Sequence, residues 1–497
     1  MKSRIDKLAI AGLLLLLCAC NPAPKYARPP APTPSAFKET LPPGYKEGAG
    51  WKLAEPGDDK IRAKWWELYN DPQLNALEEQ VSISNQTIAA AEANFRAARA
   101  LVVSGRSALF PTLSAAPGYT NSRSSATARS SRAPITTTLN TFSMPLDLSY
   151  TVDFWHRIRN TLAANAYSAQ ASAADVATAL LSTQAELGTL YLQLRAVDTQ
   201  RRILTETLEN YRQALALTTT LYNTGINSEQ EVIQAQTQVN VATAQTTDLG
   251  VARTQYEHAI ATLIGKPAST FTLPAAPFAV NPPTVPVAVP STLLERRPDI
   301  AALEREVAAA NALIGVARAA YYPNLTLSAT AGFQTSQFTQ WFNWPSRFWS
   351  VGPVLSQTLF DGGVRRALNA QAQAQYDAAV ANYRQTVLTA FQAVEDQLAA
   401  LRILSQEAAE QRAAVASSTR YLELANTRFQ TGVDSYLNVI TAQTTLLNNR
   451  ETEVQVQLRQ MTASVSLILA LGGGWDNSQL PQMKDLVSRS SSPSSGP

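Results

Sequence analysis

The longest regular pattern in the chain is a seven-residue spacing of apolar side chains between about residues 159 and 222. This stretch has no proline and a single glycine, Gly188. We predict one helix over about 157–223, roughly 100 Å long at 1.5 Å per residue, with an apolar seam for coiled-coil packing. The spacing is interrupted only at Thr183 and Arg201. The seam residues are Leu180, Leu187, Leu190, Leu194, Val197, Leu204, Leu208, Tyr211 and Leu215. A similar seam, which predicts a second long helix over about 363–430, consists of Val387, Val394, Leu398, Leu401 and Leu404.

Just before each long helix the apolar period changes to two. In "TFSMPLDLSYTVD" the even-numbered residues are apolar and most odd-numbered ones are polar, which predicts a strand over about 139–153 with lipid on one face and water on the other. "NLTLSATAGFQT" repeats the pattern over about 324–335. Fainter partner strands are predicted over about 111–121 and 347–360.

A soluble β-sandwich is an alternative for these strands taken singly. An aromatic cluster in the predicted loop between the third and fourth strands favours the membrane, because aromatic side chains concentrate at membrane interfaces. The cluster consists of Trp341, Phe342, Trp344, Phe348 and Trp349.

The chain carries an internal repeat. "YNTGINSEQEVIQAQT" from Tyr222 and "FQTGVDSYLNVITAQT" from Phe429 are 207 residues apart, and this offset holds over about 118 residues without an insertion. Each half is predicted to contain a helix, two strands, a very long helix, a tip and a final helix. Repeat 1 covers 63–265 and ends in a helix over 228–264. After a Pro-rich connector at 266–290, repeat 2 covers 291–472 and ends in a helix over 435–471.

The doubled stretch predicts two helical turns. Gly225 and Gly432 suit the left-handed residue that ends a helix. Ser228 then caps the next helix, and Glu231 has the capping-box spacing to it. Ser435 with Asn438 is a weaker version of the same cap.

The N-terminus predicts export. "MKSRIDKLAIAGLLLLLCAC" has basic residues followed by an apolar stretch too short to span a bilayer, so residues 1–19 are predicted to be a signal peptide. Its end resembles the lipobox of bacterial lipoproteins, which implies a lipid on Cys20. An ordinary signal peptide with incidental cysteines is the alternative. Residues 20–62 are predicted to be an extended Pro-rich tether, and the end of the tail 473–497 is predicted to be disordered.

The composition disfavours catalysis and nucleic-acid binding. The formal charge is only +3, and 16% of residues are charged, too few and too scattered for a nucleic-acid surface. No Gly-rich phosphate loop or metalloprotease motif is present, and His156 and His258 are isolated, so we expect no enzyme, no cofactor and no metal site. A structural or adhesive coiled-coil surface lipoprotein is the main alternative to a transport protein.

Four strands per chain cannot close a membrane barrel, and an open edge in lipid leaves backbone groups unpaired. We therefore expect several copies to pool their strands. Three copies would give twelve strands, enough for a barrel with an aqueous lumen.

The chain resembles the outer membrane factor family, the TolC-like efflux ducts, and within it the lipoprotein branch (OprM- and NodT-like). The resemblance is carried by the lipobox, by "WWELYNDPQLNAL" from Trp65 and by "LLERRPDIAALEREVAAANALIGVARAAYYPNL" from Leu293. It implies a homotrimer with a twelve-stranded β-barrel on a long periplasmic α-helical barrel. The duct would be lipid-anchored in the outer membrane of a Gram-negative bacterium.

The resemblance also implies partners and site residues. The expected partners are a periplasmic adaptor and an inner-membrane pump of the RND type, and the cargo is small molecules such as drugs. Exit of secreted proteins or export of metal ions is the alternative. The adaptor would dock at the turns that contain Gly225, Ser228, Gly432 and Ser435. The candidates for the narrow entrance are Glu231, Asp434, Leu437 and Thr441, although the family often has Asp at the last of these positions.

Overall fold

The computed structural model describes residues 21–34, 37–39, 64–123, 125, 138–278 and 296–487. Cys20, the predicted signal peptide and residues 488–497 lie outside the described residues. The helices are α1 (Pro72–Ser84), α2 (Gln86–Ser107), α3 (Arg157–Asn223), α4 (Glu229–Leu263), α5 (Pro298–Ala319), α6 (Val364–Gln430), α7 (Tyr436–Ala470) and α8 (Met483–Val487). The strands are β1 (Thr112–Ala115), β2 (Gly118–Arg123), β3 (Thr138–Val152), β4 (Asn324–Thr335) and β5 (Arg347–Ser356).

The two repeats have helices of equal length. The long helices α3 and α6 each contain 67 residues, and the returning helices α4 and α7 each contain 35. Each long helix packs against the returning helix of its own repeat, and α3 also packs against α7. The four helices therefore form one layer of two hairpins side by side, and their seam residues Leu187, Leu194, Val387 and Val394 are fully buried.

The strands form one antiparallel sheet in the order β1/β2, β3, β4, β5. β1 and β2 pair with β3 in the same register, separated by Ala116 and Pro117. The interruption lies opposite Pro145, and proline has no N–H to donate to a neighbouring strand. Gly332 pairs with Pro145 on the other side, where a Cβ would collide with the Met144 carbonyl oxygen.

Two predicted positions need correction. The last strand, expected over 347–360, ends at Ser356 because its partner β4 begins at the opposite residue, Asn324. Phe348 and Trp349, counted with the aromatic loop cluster although the predicted strand also contains them, are the second and third residues of β5.

The described part of the predicted tether is extended, but it is bound to the helices. Asn21 accepts a hydrogen bond from the Asn160 side chain at 3.1 Å, and the Tyr26 hydroxyl bonds to Glu304. Farther along, the backbone N–H groups of residues 38 and 39 donate to the Glu395 carboxylate. The segment therefore runs along α5 and α6 as a docked strap, because its backbone finds partners there that a free tether would seek in water.

Equivalent arginines of the two repeats hold the segments that cross the long helices. Arg195 on α3 is buried and donates to the Pro274 carbonyl oxygen at 2.8 Å, and it pairs with Asp198 at 3.0 Å. Arg402 lies 207 residues later on α6 and pairs with Glu39 of the strap at 2.7 Å. The connector and the strap thus cross the long helices at equivalent levels.

Candidate functional site: the helical tips and the strand face

The first tip joins α3 to α4. The Gly225 N–H donates to the Tyr222 carbonyl oxygen and the Ile226 N–H donates to that of Leu221, both at 2.9 Å. This is the Schellman arrangement, and Gly225 has the positive φ of 75° that it requires. The Ser228 N–H then donates to the Glu231 carboxylate at 3.3 Å, so Glu231 satisfies a backbone donor at the start of α4.

The second tip joins α6 to α7 with the same backbone. The N–H groups of Gly432 and Val433 donate to the carbonyl oxygens of Phe429 and Arg428 at 3.0 and 2.9 Å, and Gly432 has a φ of 72°. The tip differs in its charges, because Arg428 pairs with Asp434 at 2.5 Å. The guanidinium of Arg428 lowers the pKa of the Asp434 carboxyl. Asp434, a candidate entrance residue, is thus held within its own turn.

A small apolar cluster joins the two hairpins just above the tips. All four long helices contribute to it, and Tyr436 at the start of α7 is its largest fully buried side chain. Its ring lies 5.4 Å from that of Phe429. Burial raises the pKa of the Tyr436 phenol to about 12, so it remains neutral. The remaining buried members are Ala235, Ala425, Val439, Ile440 and Ala442.

The other entrance candidates lie on the open side of α7. Leu437 is 55% exposed, and Thr441, one turn later, is exposed and donates its hydroxyl hydrogen to the Leu437 carbonyl oxygen at 2.9 Å. The buried residues Tyr436, Val439 and Ile440 occupy the opposite side of the same turns. Glu231 is half-buried on α4 of the other hairpin. The structure therefore places Leu437 and Thr441 together on the exposed face of α7, whereas Glu231 lies on α4.

Sequence reasoning missed two exposed apolar residues at the tips. Ile226 is 71% exposed and Val433 is 62% exposed, and each directly follows the left-handed glycine of its turn. Each turn therefore exposes an apolar side chain at its outermost point. The signal was present in the doubled stretch as Gly-Ile and Gly-Val.

The strand face alternates as the period of two predicts. Leu146 lies opposite Ala331 and Leu148 opposite Ala329, and both leucines are exposed. β5 continues the same face with Val351, which lies opposite Ala329. On the other face the Thr330 hydroxyl donates to Asp147 at 2.6 Å. One face is therefore continuously apolar and open, and the other is polar.

Aromatic side chains border the end of the apolar face that lies away from the helices. The Phe142 ring lies 5.6 Å from that of Trp341, which stacks on Phe342 at 5.1 Å. At the other end of the sheet the Trp155 and Tyr322 rings stack with their centroids 4.4 Å apart and line the cavity where the strands meet the helices. An aromatic border beside an apolar band is typical of a strand surface in a bilayer.

The polar face opens onto a cavity of about 850 Å³ where strands become helices. The Asp153 carboxylate accepts from the backbone N–H groups of residues 158 and 159, and that of Asp361 accepts from residues 363 and 365. An aspartate that precedes each long helix thus accepts hydrogen bonds from backbone N–H groups at the start of that helix. His156 and its repeat equivalent Gly363 both have positive φ, 56° and 93°, at this junction.

Within the described residues, no group of three or more His, Cys, Asp or Glu side chains is arranged to hold a metal ion. No described helix combines the length and the apolar character needed to cross a membrane.

The family model for outer membrane efflux proteins matches residues 77–266 and 289–473, which are the two repeats. The chain belongs to the outer membrane efflux protein family. Its predicted resemblance to the efflux ducts is confirmed, and the structural or adhesive alternative is not favoured.

Similar proteins extend over nearly the whole chain. The pyoverdine export outer membrane protein OpmQ of Pseudomonas aeruginosa is 31% identical over 482 residues, covering 95% of this chain and 98% of its own. The toluene efflux pump outer membrane protein TtgI of Pseudomonas putida is 32% identical over 473 residues, covering 94% and 98%. Among solved structures, the outer-membrane channel OprN aligns with a TM-score of 0.83 at 28% identity, over 92% of this chain and all of that one. The Campylobacter jejuni CmeC channel shares the fold, with a TM-score of 0.85 at 23% identity over 94% and 97%.

Proposed function

We propose that this outer membrane efflux protein is a homotrimeric duct, with a twelve-stranded barrel on a helical barrel. Each copy would supply four strand positions, because β1 and β2 together occupy one position beside β3. The observation that carries the proposal is the sheet. β1/β2 at one edge and β5 at the other have no neighbouring strand among the described residues, yet the sheet presents a continuous apolar face. An edge in lipid must be paired, and pairing the β5 edge of one copy with the β1/β2 edge of the next gives a closed ring.

The helical layer fits the same assembly. One layer of two hairpins has two open sides, and a ring of three copies would bring six tips around one opening. In this arrangement Ile226 and Val433 support docking of a periplasmic adaptor, and an inner-membrane pump of the RND type would supply the energy. Glu231, Asp434, Leu437 and Thr441 are the candidate residues around the opening.

The proposed cargo is small organic molecules. Relatives that match nearly the whole chain are named for export of pyoverdine, toluene and antibiotics. The polar strand face and the cavity below it suit passage without tight binding, so the pump would select the cargo.

Channel recordings test the duct. The purified protein in a planar bilayer should conduct ions in steps of uniform size, and chemical cross-linking in detergent should stop at trimers. A protein that cross-links as a trimer but never conducts would refute the duct and favour a structural lipoprotein.

The tip glycines should be needed for transport but not for assembly. A valine at a left-handed position costs about 1–2 kcal/mol. Apart from the adjacent residues, no atom lies within 4 Å of a Cβ built at Gly225 or Gly432, so the damage is confined to the turn. In the Gly225→Val/Gly432→Val double variant, drug efflux in a complementation assay should fall severalfold with normal outer-membrane levels.

Gly250→Val is the matched control. Gly250 lies inside α4 with open space around it and no positive φ, so efflux should stay normal. Full efflux in the double tip variant would show that no partner protein recognises the conformation of the turns.

We propose that a lipid on Cys20 anchors the mature chain. The supporting observation is the docked strap, which holds the next residue, Asn21, against Asn160 near the start of α3 and therefore near the strands.

Mass spectrometry of the mature N-terminal peptide should find acylated Cys20. Cys20→Ser behind a cleavable signal should still give trimers, because the strands rather than the lipid close the barrel. An unmodified start at Asn21 in the wild-type protein would contradict the anchor.

A further inference from the structure

The far end of the apolar strand face changes its chemistry in a fixed order. Along β5, from the middle of the strand outwards, Val351 is followed on the same face by Trp349 and then by Arg347. Both Val351 and Trp349 are more than 70% exposed. The sequence of surfaces is therefore aliphatic, aromatic and cationic.

The other edge of the sheet repeats this order with an added amide layer. The Tyr119 and Phe142 rings lie 4.8 Å apart on the apolar face. Beyond them the Asn140 side chain accepts hydrogen bonds from the Tyr119 hydroxyl at 3.0 Å and from the Asn121 amide at 2.6 Å. Arg123 ends the strand on the same face and is exposed.

Arg347 is held in place without being neutralised. Its guanidinium lies 3.9 Å from the centroid of the Trp344 ring, which is itself 74% exposed. Neither Arg347 nor Arg123 forms an ion pair with any residue in the described ranges. An arginine stacked on an aromatic ring keeps its planar fork of donors directed outwards, a geometry suited to phosphate oxygens.

The outer parts of the two strand hairpins, away from the helices, carry positive charge only. Residues 112–146 contain three arginines, 324–360 contain one, and neither range contains Asp or Glu. Arg129 and Arg132 lie outside the described residues. Of the nearby acidic residues, Asp147 lies on the polar face of β3, and Asp153 and Asp361 lie at the opposite end, where the helices begin.

We propose that Arg123 and Arg347, which lie at opposite edges of the sheet, each bind a phosphate group of phosphorylated glycolipids in the outer leaflet, with Asn121 and Asn140 meeting sugar hydroxyls beside Arg123. This inference rests on the proposed placement of the strands in the outer membrane. A glycolipid matches every layer in order: acyl chains against the aliphatic band, the interface against the aromatic rings, and phosphates and sugars against the arginines and amides. A protein partner would not explain the continuity of the site with the lipid-facing band.

The test is lipid binding by the full-length protein in detergent, with bisphosphorylated lipid A as the probe. An arginine near a charged lipid surface changes affinity by about fivefold. Arg347→Gln should therefore weaken binding at the β5 edge about fivefold, and the Arg123→Gln/Arg347→Gln double variant should weaken it about fivefold at both edges. Arg420→Gln, at an exposed arginine on α6 far from the sheet, is the matched control and should bind as the wild type does.

Comparison of lipids identifies the occupant. Dephosphorylated lipid A should bind as weakly to the wild-type protein as the phosphorylated form binds to the double variant. Unchanged affinity in the double variant, or equal binding of the dephosphorylated lipid, would overturn the site, and equally tight binding of phosphatidylglycerol would overturn the glycolipid. Because transport plays no part in this assay, a protein that binds lipid A but never conducts would refute the duct and leave the site standing.

Discussion

Replacing Glu78 with leucine should stabilise the protein at neutral pH. Glu78 on α1 is completely buried, and neither carboxylate oxygen has a hydrogen-bond partner among the described residues. It lies where α1 crosses α3, close to the Trp65 ring and Gly188. This burial raises the pKa of the Glu78 carboxyl to about 9.

The raised pKa sets both the sign and the pH range of the effect. Between about pH 4.5 and 9 the folded protein keeps a proton that the unfolded chain releases, so the free energy of unfolding falls as pH rises through this range. At about 1.4 kcal/mol per pH unit, the loss at pH 7 is on the order of 3 kcal/mol. Leucine removes this term and fills the site with apolar atoms.

Thermal unfolding in detergent at several pH values provides the measurement. Glu78→Leu should unfold at a clearly higher temperature than the wild type at pH 7.5, and the difference should shrink towards pH 5. Glu79→Leu is the control, because Glu79 is the adjacent residue, exposed and paired with Lys64 at 2.5 Å. A wild-type protein whose stability does not fall between pH 5 and 8 would show that Glu78 reaches a partner or water.

Glu78 also shows what the sequence contained but did not make obvious. The buried residues of α1 are Leu74, Leu77, Glu78 and Val81, which have the spacing of a helix face that packs on a core. The pattern therefore placed the carboxylate on the buried face. The adjacent Glu79 is exposed, and only the helical period indicates which of the two glutamates is buried.

Periodic features were the ones that could be predicted. The seams of α3 and α6, the alternation of β3 and β4 and the turns at Gly225 and Gly432 each depend on residues a few positions apart. Contacts between distant segments could not be predicted, because one sequence does not indicate which charge will meet which. Arg253 pairs with Asp198 across 55 residues, and Arg402 pairs with Glu39 across 363.

The same limit applies to the candidate site. The glycine turns and the Ser228–Glu231 cap follow from local sequence, whereas the cluster around Tyr436 joins four helices and had no local signal. Arg428 and Asp434 are six residues apart around a turn. Ion pairs can be predicted from sequence within a helix, where the partners are three or four residues apart, so this pair could not be predicted.

Replacing Leu146 or Leu148 with arginine should abolish assembly. Both leucines lie near the centre of the apolar face, opposite small residues of β4 that offer no cover. A charge at the bilayer midplane costs roughly 2–4 kcal/mol per copy, and a trimer would bear this cost three times. We expect outer-membrane trimers of Leu146→Arg and Leu148→Arg to be nearly absent after fractionation and cross-linking.

Ser149→Arg is the decisive comparison because it changes the residue next to Leu148. Ser149 is exposed on the polar face, opposite Ser328, and an arginine there would extend into water if that face lines a lumen. Near-normal trimer levels are therefore expected for Ser149→Arg. Equal loss of trimers in all three variants would show that both faces of β3 are buried, which would contradict a lipid-facing barrel and restore the soluble sandwich as an explanation of the alternation.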